Sequence, residues 1–223
     1  MTVRQVTAVF LIKRLIDLAA SAVSIALLFP LLAIIGLAIK LDGPGPVFFR
    51  QKRVGQGGQI FDIFKFRTMV VGAEKKGAGF FVEEEDPRIT RVGKFLRHTS
   101  LDELPQFFNI FNGDMSLVGP RPTLPYQVEN YDERQVQRLS VKPGVTGWAQ
   151  VNGRSSLTWP ERIELDLWYI NNWSLVLDFK ILLRTFKVVF EKKNLYKTTE
   201  YDPISGSKKK FHGDNNNGGD KES

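Results

Sequence analysis

Two carboxylates stand side by side, Asp102 and Glu103, in the block RHTSLDELPQFFNIFNGDMSLVGPRP that runs from Arg97 to Pro122. Such a pair can supply a nucleophile, a general base or oxygen ligands for a metal ion. Cations that could serve the same chemistry are Lys65, Arg97, Arg121 and Arg154, with Arg67 a weaker candidate, all in turns or on polar strand faces. A helix N-terminus with free N–H groups, two carboxylates and several arginines suits a diphosphate accompanied by Mg²⁺. The competing structural explanation is a capping box, with Ser100 as N-cap and Glu103 three residues in. Acids in a first helical turn are favourable against the dipole whatever their function. Adjacent helical residues, however, point about 100° apart, so one cap would not use both acids.

The rest of the composition narrows the chemistry. The chain of 223 residues contains no cysteine and only two histidines, His98 and His212. Disulfides, thiol catalysis and Cys-ligated metals are excluded, and a histidine-rich metal site is not available. A metal used here is therefore a hard cation, Mg²⁺ or Mn²⁺, on carboxylate and phosphate oxygens, with Asp102 as candidate ligand. The formal net charge of +7 suits nucleic acid, an anionic leaflet or a phosphate-bearing substrate, and composition alone does not choose.

The elements that must hold these residues begin with an anchor. Leu18 to Ile39, LAASAVSIALLFPLLAIIGLAI, carries no charge, and twenty-two helical residues reach about 33 Å, the thickness of a bilayer core. Pro30 falls just past the middle and removes one helical hydrogen bond. Both flanks are basic, Lys13 and Arg14 before, Lys40, Arg50, Lys52 and Arg53 after. Basic flanks prefer the cytoplasmic side, and a single span cannot place both there. A re-entrant helix that breaks at Pro30 and returns satisfies both, with Ser21 and Ser24 near the freed backbone groups.

After the anchor, Val47–Arg53 and Ile60–Met69 read as a β-hairpin with its turn at Gly55-Gln-Gly-Gly58. Alternation in the second strand puts Lys65 and Arg67 on one polar face. The Gly- and Glu-rich stretch 71–85 reads as a mobile loop. Arg88–His98 is a basic amphipathic helix with Ile89, Val92, Phe95 and Leu96 on one side, and Leu101–Phe111 is a second helix ending near Gly113. KPGVTGWAQVNGR (142–154) is too turn-rich for a long helix. Asp178 is expected to cap a helix with Phe179, Leu182, Leu183, Phe186, Val189 and Phe190 on one side and Lys180, Arg184, Lys187 and Glu191 on the other. Core packing and a membrane surface explain that face equally well. The expected fold is α/β (α+β): a small membrane-associated domain with an N-terminal re-entrant helix-break-helix, a β-hairpin and several amphipathic helices. The expected division is an anchor at 1–40, a catalytic domain at 41–200 and a disordered polar tail at 205–223.

GPVFFRQ, KFRTM, SLDELPQFFNIFNGDMSLVGPRP and GVTGWAQVNGR, in this order within a similarity that runs from about Lys13 to Val189, together resemble the monotopic polyprenyl-phosphate phosphoglycosyl transferases, the bacterial sugar transferases. Larger members carry an additional N-terminal block of membrane helices, so the resemblance implies the minimal catalytic form. The family's anchor breaks at a Ser-Pro pair, which here is Phe29-Pro30. The resemblance implies that Asp102 and Glu103 are the family's catalytic dyad. By that analogy the aspartate attacks the β-phosphorus of a UDP-sugar, releases UMP, and passes the phosphosugar to a polyprenyl phosphate. It also implies phosphate-binding roles for Lys65, Arg97, Arg121 and Arg154, a Mg²⁺ or Mn²⁺ cofactor, and a place on the cytoplasmic face of the bacterial inner membrane. No nucleic-acid partner is expected, and a homodimer is compatible.

Two other readings remain open from sequence. Direct transfer would use Asp102 or Glu103 as general base without a covalent step. A non-enzymatic basic membrane module holding anionic lipid or nucleic acid would leave both acids as caps. A P-loop NTPase is excluded because GxxxxGK[ST] is absent. Asp114, in the NGD turn, reads as a turn cap before a metal ligand.

Overall fold

A computed structural model describes residues 3–73, 86–153 and 156–190. The expected loop falls largely, and the polar tail wholly, outside the described residues, as does Arg154.

The apolar N-terminal run forms one helix, α1 (Val3–Asp42), with Pro30 inside it. Where the sequence anticipates two half-helices, helical structure continues through the proline. A long helix tolerates the loss of one N–H donor by bending rather than ending. A narrow stripe of α1, including Asp17, Ser21, Ile35 and Ile39, is buried, whereas Val23, Leu27, Phe29, Ile34 and Leu37 are exposed. Ser21 Oγ donates to Leu18 O at 3.0 Å, a contact within the first half of the helix.

Both ends of α1 grip the same domain. Near its start, Lys13 Nζ pairs with Asp178 Oδ2 at 2.5 Å and donates to Val118 O. Arg14 donates to Ile110 O and Phe111 O, and Asp17 Oδ1 accepts from Leu117 N. At its finish, Ile35 and Ile39 form a core cluster with Phe66 and Leu96, and Asp42 accepts from Val92 N at 2.9 Å.

The hairpin forms as expected, from β1 (Phe48–Val54) and β2 (Ile60–Phe66) in antiparallel register, Phe48 opposite Phe66. Next come α2 (Arg91–Thr99) and α3 (Gln106–Asn112). Helix α2 starts three residues later than the sequence indicates, because Thr90 Oγ1 accepts from Gly93 N and fixes the N-cap there. Gly93 has a packing reason: a Cβ would sit 2.0 Å from Thr68 O, so only glycine lets α2 lie against the end of the hairpin. Asn109 ties α3 to the hairpin like a third strand, accepting from Phe64 N and donating to Asp62 O.

Strand β3 (Ser116–Val118) follows, then the short helix α4 (Pro125–Val128), and β4 (Gly144–Thr146) pairs with β3 in parallel. Three helices complete the chain: α5 (Trp148–Asn152), α6 (Trp159–Asn171) and α7 (Leu175–Phe190). Helix α7 buries Leu177 and Ile181 against Val118 and Tyr169. It leaves Val176, Phe179, Leu183 and Phe186 exposed. Much of the apolar face read from sequence is therefore not core. Asp178 does not cap this helix: Ser174 Oγ accepts from Leu177 N, while Asp178 sits inside the fold bonded to Lys13, Tyr169 and Trp173.

Candidate active site

The dyad is placed by a reversal between two helices. At Ser100 the backbone enters the left-handed region, φ 58°, the only non-glycine residue to do so among the described residues. Its N–H closes the last turn of α2 on Leu96 O and Arg97 O. One 3₁₀ turn, Leu101–Glu103, follows. Leu101 and Leu104 pack into the Ile35/Phe66/Leu96 cluster, which leaves Asp102 and Glu103 to line a cavity of ≈410 Å³. A left-handed non-glycine residue costs about 1–3 kcal/mol, strain of the kind found at functional sites.

This geometry replaces the capping box. The Ser100 side chain makes no capping hydrogen bond, and the Glu103 carboxylate turns away from the backbone. Glu103 Oε1 accepts from Lys65 Nζ at 2.7 Å and from Arg121 NH2 at 2.8 Å. Three segments thus meet on one oxygen: β2, the dyad turn and the GPRP turn after β3. The Asp102 carboxylate makes no hydrogen bond or ion pair with any described residue, and neither does the Arg97 guanidinium, which lines the same cavity.

The two acids differ in electrostatics as well as in contacts. Burial alone would raise Glu103, but the Arg121 and Lys65 charges and hydrogen bonds overcome it and hold the carboxyl far below the usual range. Burial pushes Asp102 up, opposed by Lys65 and reinforced by the neighbouring Glu103 charge. Adjacent carboxyls with environments that drive them apart mark a division of roles. Two cations favour the ionised form of Glu103, while burial and the Glu103 charge disfavour that of Asp102.

Six cations line the cavity: Arg53, Lys65, Arg97, Arg121, Arg138 and Arg162. Three carboxylates, Asp102, Glu103 and Asp166, share it, so an anionic ligand is favoured. Crowding shows at Arg53, pushed down to about 10 by burial and by the Arg121 charge. Of the residues read from sequence, the structure brings together Asp102, Glu103, Lys65, Arg97 and Arg121.

Arg67 goes elsewhere. It is buried and donates to Ile39 O, Gly43 O and Pro44 O, closing the C-terminal end of the anchor helix. Asp114 accepts from Asn109 Nδ2 at 3.2 Å in the turn after α3, a structural contact. Pro30 lies in the anchor, with no part in the cavity lining.

Sequence reasoning missed a second polar group in the cavity wall. Arg138 Nε and NH2 bind Asp166 Oδ2 at 2.9 and 2.6 Å, both residues deeply buried, and Arg138 also bonds Tyr131 and Thr123. Asp166 Oδ1, Arg53 Nε and Gln150 Oε1 are buried without a hydrogen-bond partner among the described residues. A buried polar atom left unpaired costs about 1–3 kcal/mol, so these atoms are suited to a polar ligand entering the cavity. Arg138 and Asp166 lie 28 residues apart, and no local pattern announces the pair.

A hard cation fits the donor chemistry in a restricted way. No cluster of three or more His, Cys, Asp or Glu able to hold an ion occurs among the described residues. Lys65 and Arg121 both donate to Glu103 Oε1, whereas the Asp102 carboxylate accepts no hydrogen bond, so Asp102 would be the candidate ligand, with substrate phosphates and water completing the shell as is usual for Mg²⁺.

A carboxylate pair among six cations beside an apolar helix is an arrangement suited to a phosphate-bearing ligand. The chain belongs to the bacterial sugar transferase family, whose profile matches residues 8–192. It is 42% identical over 193 residues to the uncharacterized sugar transferase EpsL of Bacillus subtilis, covering 84% of this chain and 92% of that protein. It is 44% identical over 194 residues to the UDP-glucose:undecaprenyl-phosphate glucose-1-phosphate transferase of Escherichia coli, covering 83% of this chain and 42% of the relative. A third relative is the UDP-N-acetylgalactosamine-undecaprenyl-phosphate N-acetylgalactosaminephosphotransferase of Aeromonas hydrophila, 44% identical over 184 residues, 80% of this chain and 43% of that protein. The chain therefore spans nearly the whole Bacillus relative but well under half of the other two. The family resemblance read from the motifs is borne out, and the non-enzymatic module is set aside.

Proposed function

We propose that this protein transfers a sugar 1-phosphate from a UDP-sugar to undecaprenyl or another polyprenyl phosphate, releasing UMP and initiating glycan assembly. The observation that carries this reading is the divided dyad: Glu103 fixed between Lys65 and Arg121, Asp102 left free in a cation-lined cavity. The names of the Escherichia coli and Aeromonas relatives supply the donor and acceptor classes.

In the proposed reaction an Asp102 carboxylate oxygen attacks the β-phosphorus of the donor. The bond from that phosphorus to the oxygen bridging the two phosphates breaks, and UMP leaves with the electron pair. An oxygen of the lipid phosphate then attacks the same phosphorus, the bond to Asp102 breaks, and the carboxylate is restored. Splitting the transfer in this way replaces one hard displacement by two easier ones. Arg97 and Arg121 bind the charged phosphoryl oxygens, and Glu103 keeps Lys65 and Arg121 aimed at the phosphorus rather than at Asp102. The open Asp166 Oδ1 and Gln150 Oε1 are acceptors suited to ribose or uracil N–H and O–H groups at the nucleoside end. Arg154 is proposed as a further phosphate ligand by family analogy alone. Bound Mg²⁺ or Mn²⁺ supplies positive charge against the diphosphate.

The proposed location is the cytoplasmic face of the bacterial inner membrane, with α1 entering and leaving on one side. Contacts at both ends of α1 with one domain support this, because a crossing helix would hold them apart by about 30 Å of hydrocarbon. Labelling of Gln5→Cys and Leu41→Cys from the same side is the expected result, and opposite-side labelling overturns it.

The decisive experiment is UMP release from a panel of UDP-sugars, with and without undecaprenyl phosphate. Donor alone should give a burst of at most one equivalent per enzyme, lost in Asp102→Asn and in EDTA. Normal turnover without a burst would favour direct transfer, and full turnover in EDTA would remove the metal.

A further inference from the structure

A second cavity, ≈320 Å³, adjoins the first. Lys65, Arg97 and Asp102 line both, so the free carboxylate stands at the boundary between them. The two differ in character. Away from its shared rim the second is walled mostly by Pro46, Phe48, Phe49, Met69, Val70 and Val71, with Gln51, Arg67 and Thr68 as its polar side chains. The polar groups of a sugar or nucleoside would find few partners along the apolar part of that wall. Phe48, Val70 and Val71 are nonetheless exposed, Val71 at 60%, and clustered apolar exposure of this kind marks a binding surface.

The cavity is also continuous with the anchor. Phe48 stacks on Phe66, which belongs to the core cluster with Ile35 and Ile39 of α1. Arg67, another wall residue, closes the last turn of α1. An apolar slot that begins where the membrane helix ends, and finishes at two cations and a carboxylate, matches an amphiphile with an anionic head.

We infer that this second cavity is the acceptor subsite, holding the first isoprene units of the polyprenyl phosphate with the lipid phosphate between Lys65 and Arg97. The inference rests on the proposed transferase reading and deepens it: donor and acceptor approach Asp102 from two separate cavities. The nucleotide can then depart from the polar side while the lipid enters from the apolar one, and neither has to pass the other.

The test uses the full-length enzyme in detergent or nanodiscs with two variants. Val70→Asn/Val71→Asn removes apolar contact at exposed positions without adding charge, so altered long-range electrostatics cannot mimic the effect. Met69→Trp fills the cavity instead. Losing contact with even two methylene groups is worth about tenfold in affinity. Both variants should therefore raise KM for undecaprenyl phosphate by at least about tenfold, with KM for the UDP-sugar and the donor-only UMP burst retained. An unchanged lipid KM in an active enzyme overturns the subsite, as does a loss of donor affinity or burst that parallels any loss for the lipid. A direct-transfer wild type, active but without a burst, leaves the KM comparison fully decisive. A wild type that turns over no undecaprenyl phosphate with any donor sinks the functional reading, and this subsite with it.

Discussion

Glu103→Gln isolates the charge that organises the site. The amide keeps the shape and one acceptor oxygen but removes the carboxylate that holds Lys65 at 2.7 Å and Arg121 at 2.8 Å. A hydrogen bond to a charged group contributes about 1.5–3 kcal/mol, and a neutral acceptor retains roughly half. The Arg121 side chain is 49% exposed, so its share is discounted to the surface value of about 0–1 kcal/mol. The expected net loss is about 1–2 kcal/mol, which for a chain of this size lowers Tm by roughly 2–8 °C. Glu103 is depressed in the folded state, so its stabilisation is present above the unfolded carboxyl value and lost on acidification. The Tm gap between wild type and variant should therefore be full at neutral pH and begin to close below about pH 4.3. Kinetics give an independent sign. Burial, then the Glu103 charge, raises Asp102, while Lys65, Arg97 and Arg121 lower it. Removing the Glu103 charge leaves those cations unopposed, so Asp102 ionises at lower pH and the acid limb of the UMP burst should move down. A limb that moves up, or a Tm gap that widens in acid, would refute the division of roles.

Three further substitutions at two positions bear on the same turn. Asp102→Asn should abolish the burst yet leave Tm at neutral pH equal to or above wild type, because a buried carboxyl raised in the fold opposes folding above its native pKa. A Tm lowered by several degrees would show that Asp102 has a structural partner. Ser100→Ala should change stability by well under the roughly 1 kcal/mol of a lost N-cap, and Ser100→Gly should exceed Ala by about 1 kcal/mol, because glycine relieves left-handed strain. Thermal melts decide both, and an Ala variant as damaging as a lost cap would restore the capping box.

The legible parts of this protein were those with a local signature. The uncharged run around Pro30, the Gly-rich hairpin turn and the motif carrying Asp102, Glu103 and Arg121 all declare themselves within short windows. Lys65 and Arg67 show where the local argument stops. Alternation placed both on one polar face, and the structure sends Lys65 to Glu103 but buries Arg67 on the carbonyls at the end of α1. Only the position of a helix ending more than twenty residues earlier decides between those fates. The capping-box pattern at Ser100 and Glu103 failed for a related reason. Lys65 and Arg121, from distant segments, outcompete a backbone N–H for the carboxylate, and the packing of Leu101 and Leu104 forces Ser100 out of a capping conformation. The Arg138–Asp166 pair had no signature, since its meaning lies wholly in burial.

The anchor and the site are built on consecutive residues. Lys65 reaches the dyad, Phe66 lies in the core beside Ile35 and Ile39, and Arg67 holds the end of α1. One residue further, Thr68 O packs against Gly93 so closely that no side chain fits, and α2 leads from there to Ser100 and Asp102. A displacement of the membrane helix at its C-terminal end has little slack to absorb it, because packed interiors transmit strain. α1 therefore acts as a structural wall of the catalytic domain as well as an apolar anchor. In the proposed reaction the depth of α1 in the bilayer would set the height of Asp102 relative to the lipid surface. For an acceptor whose phosphate lies at that surface and whose tail cannot leave it, that fixed height would let the proposed nucleophile in a water-facing cavity reach a membrane-bound phosphate.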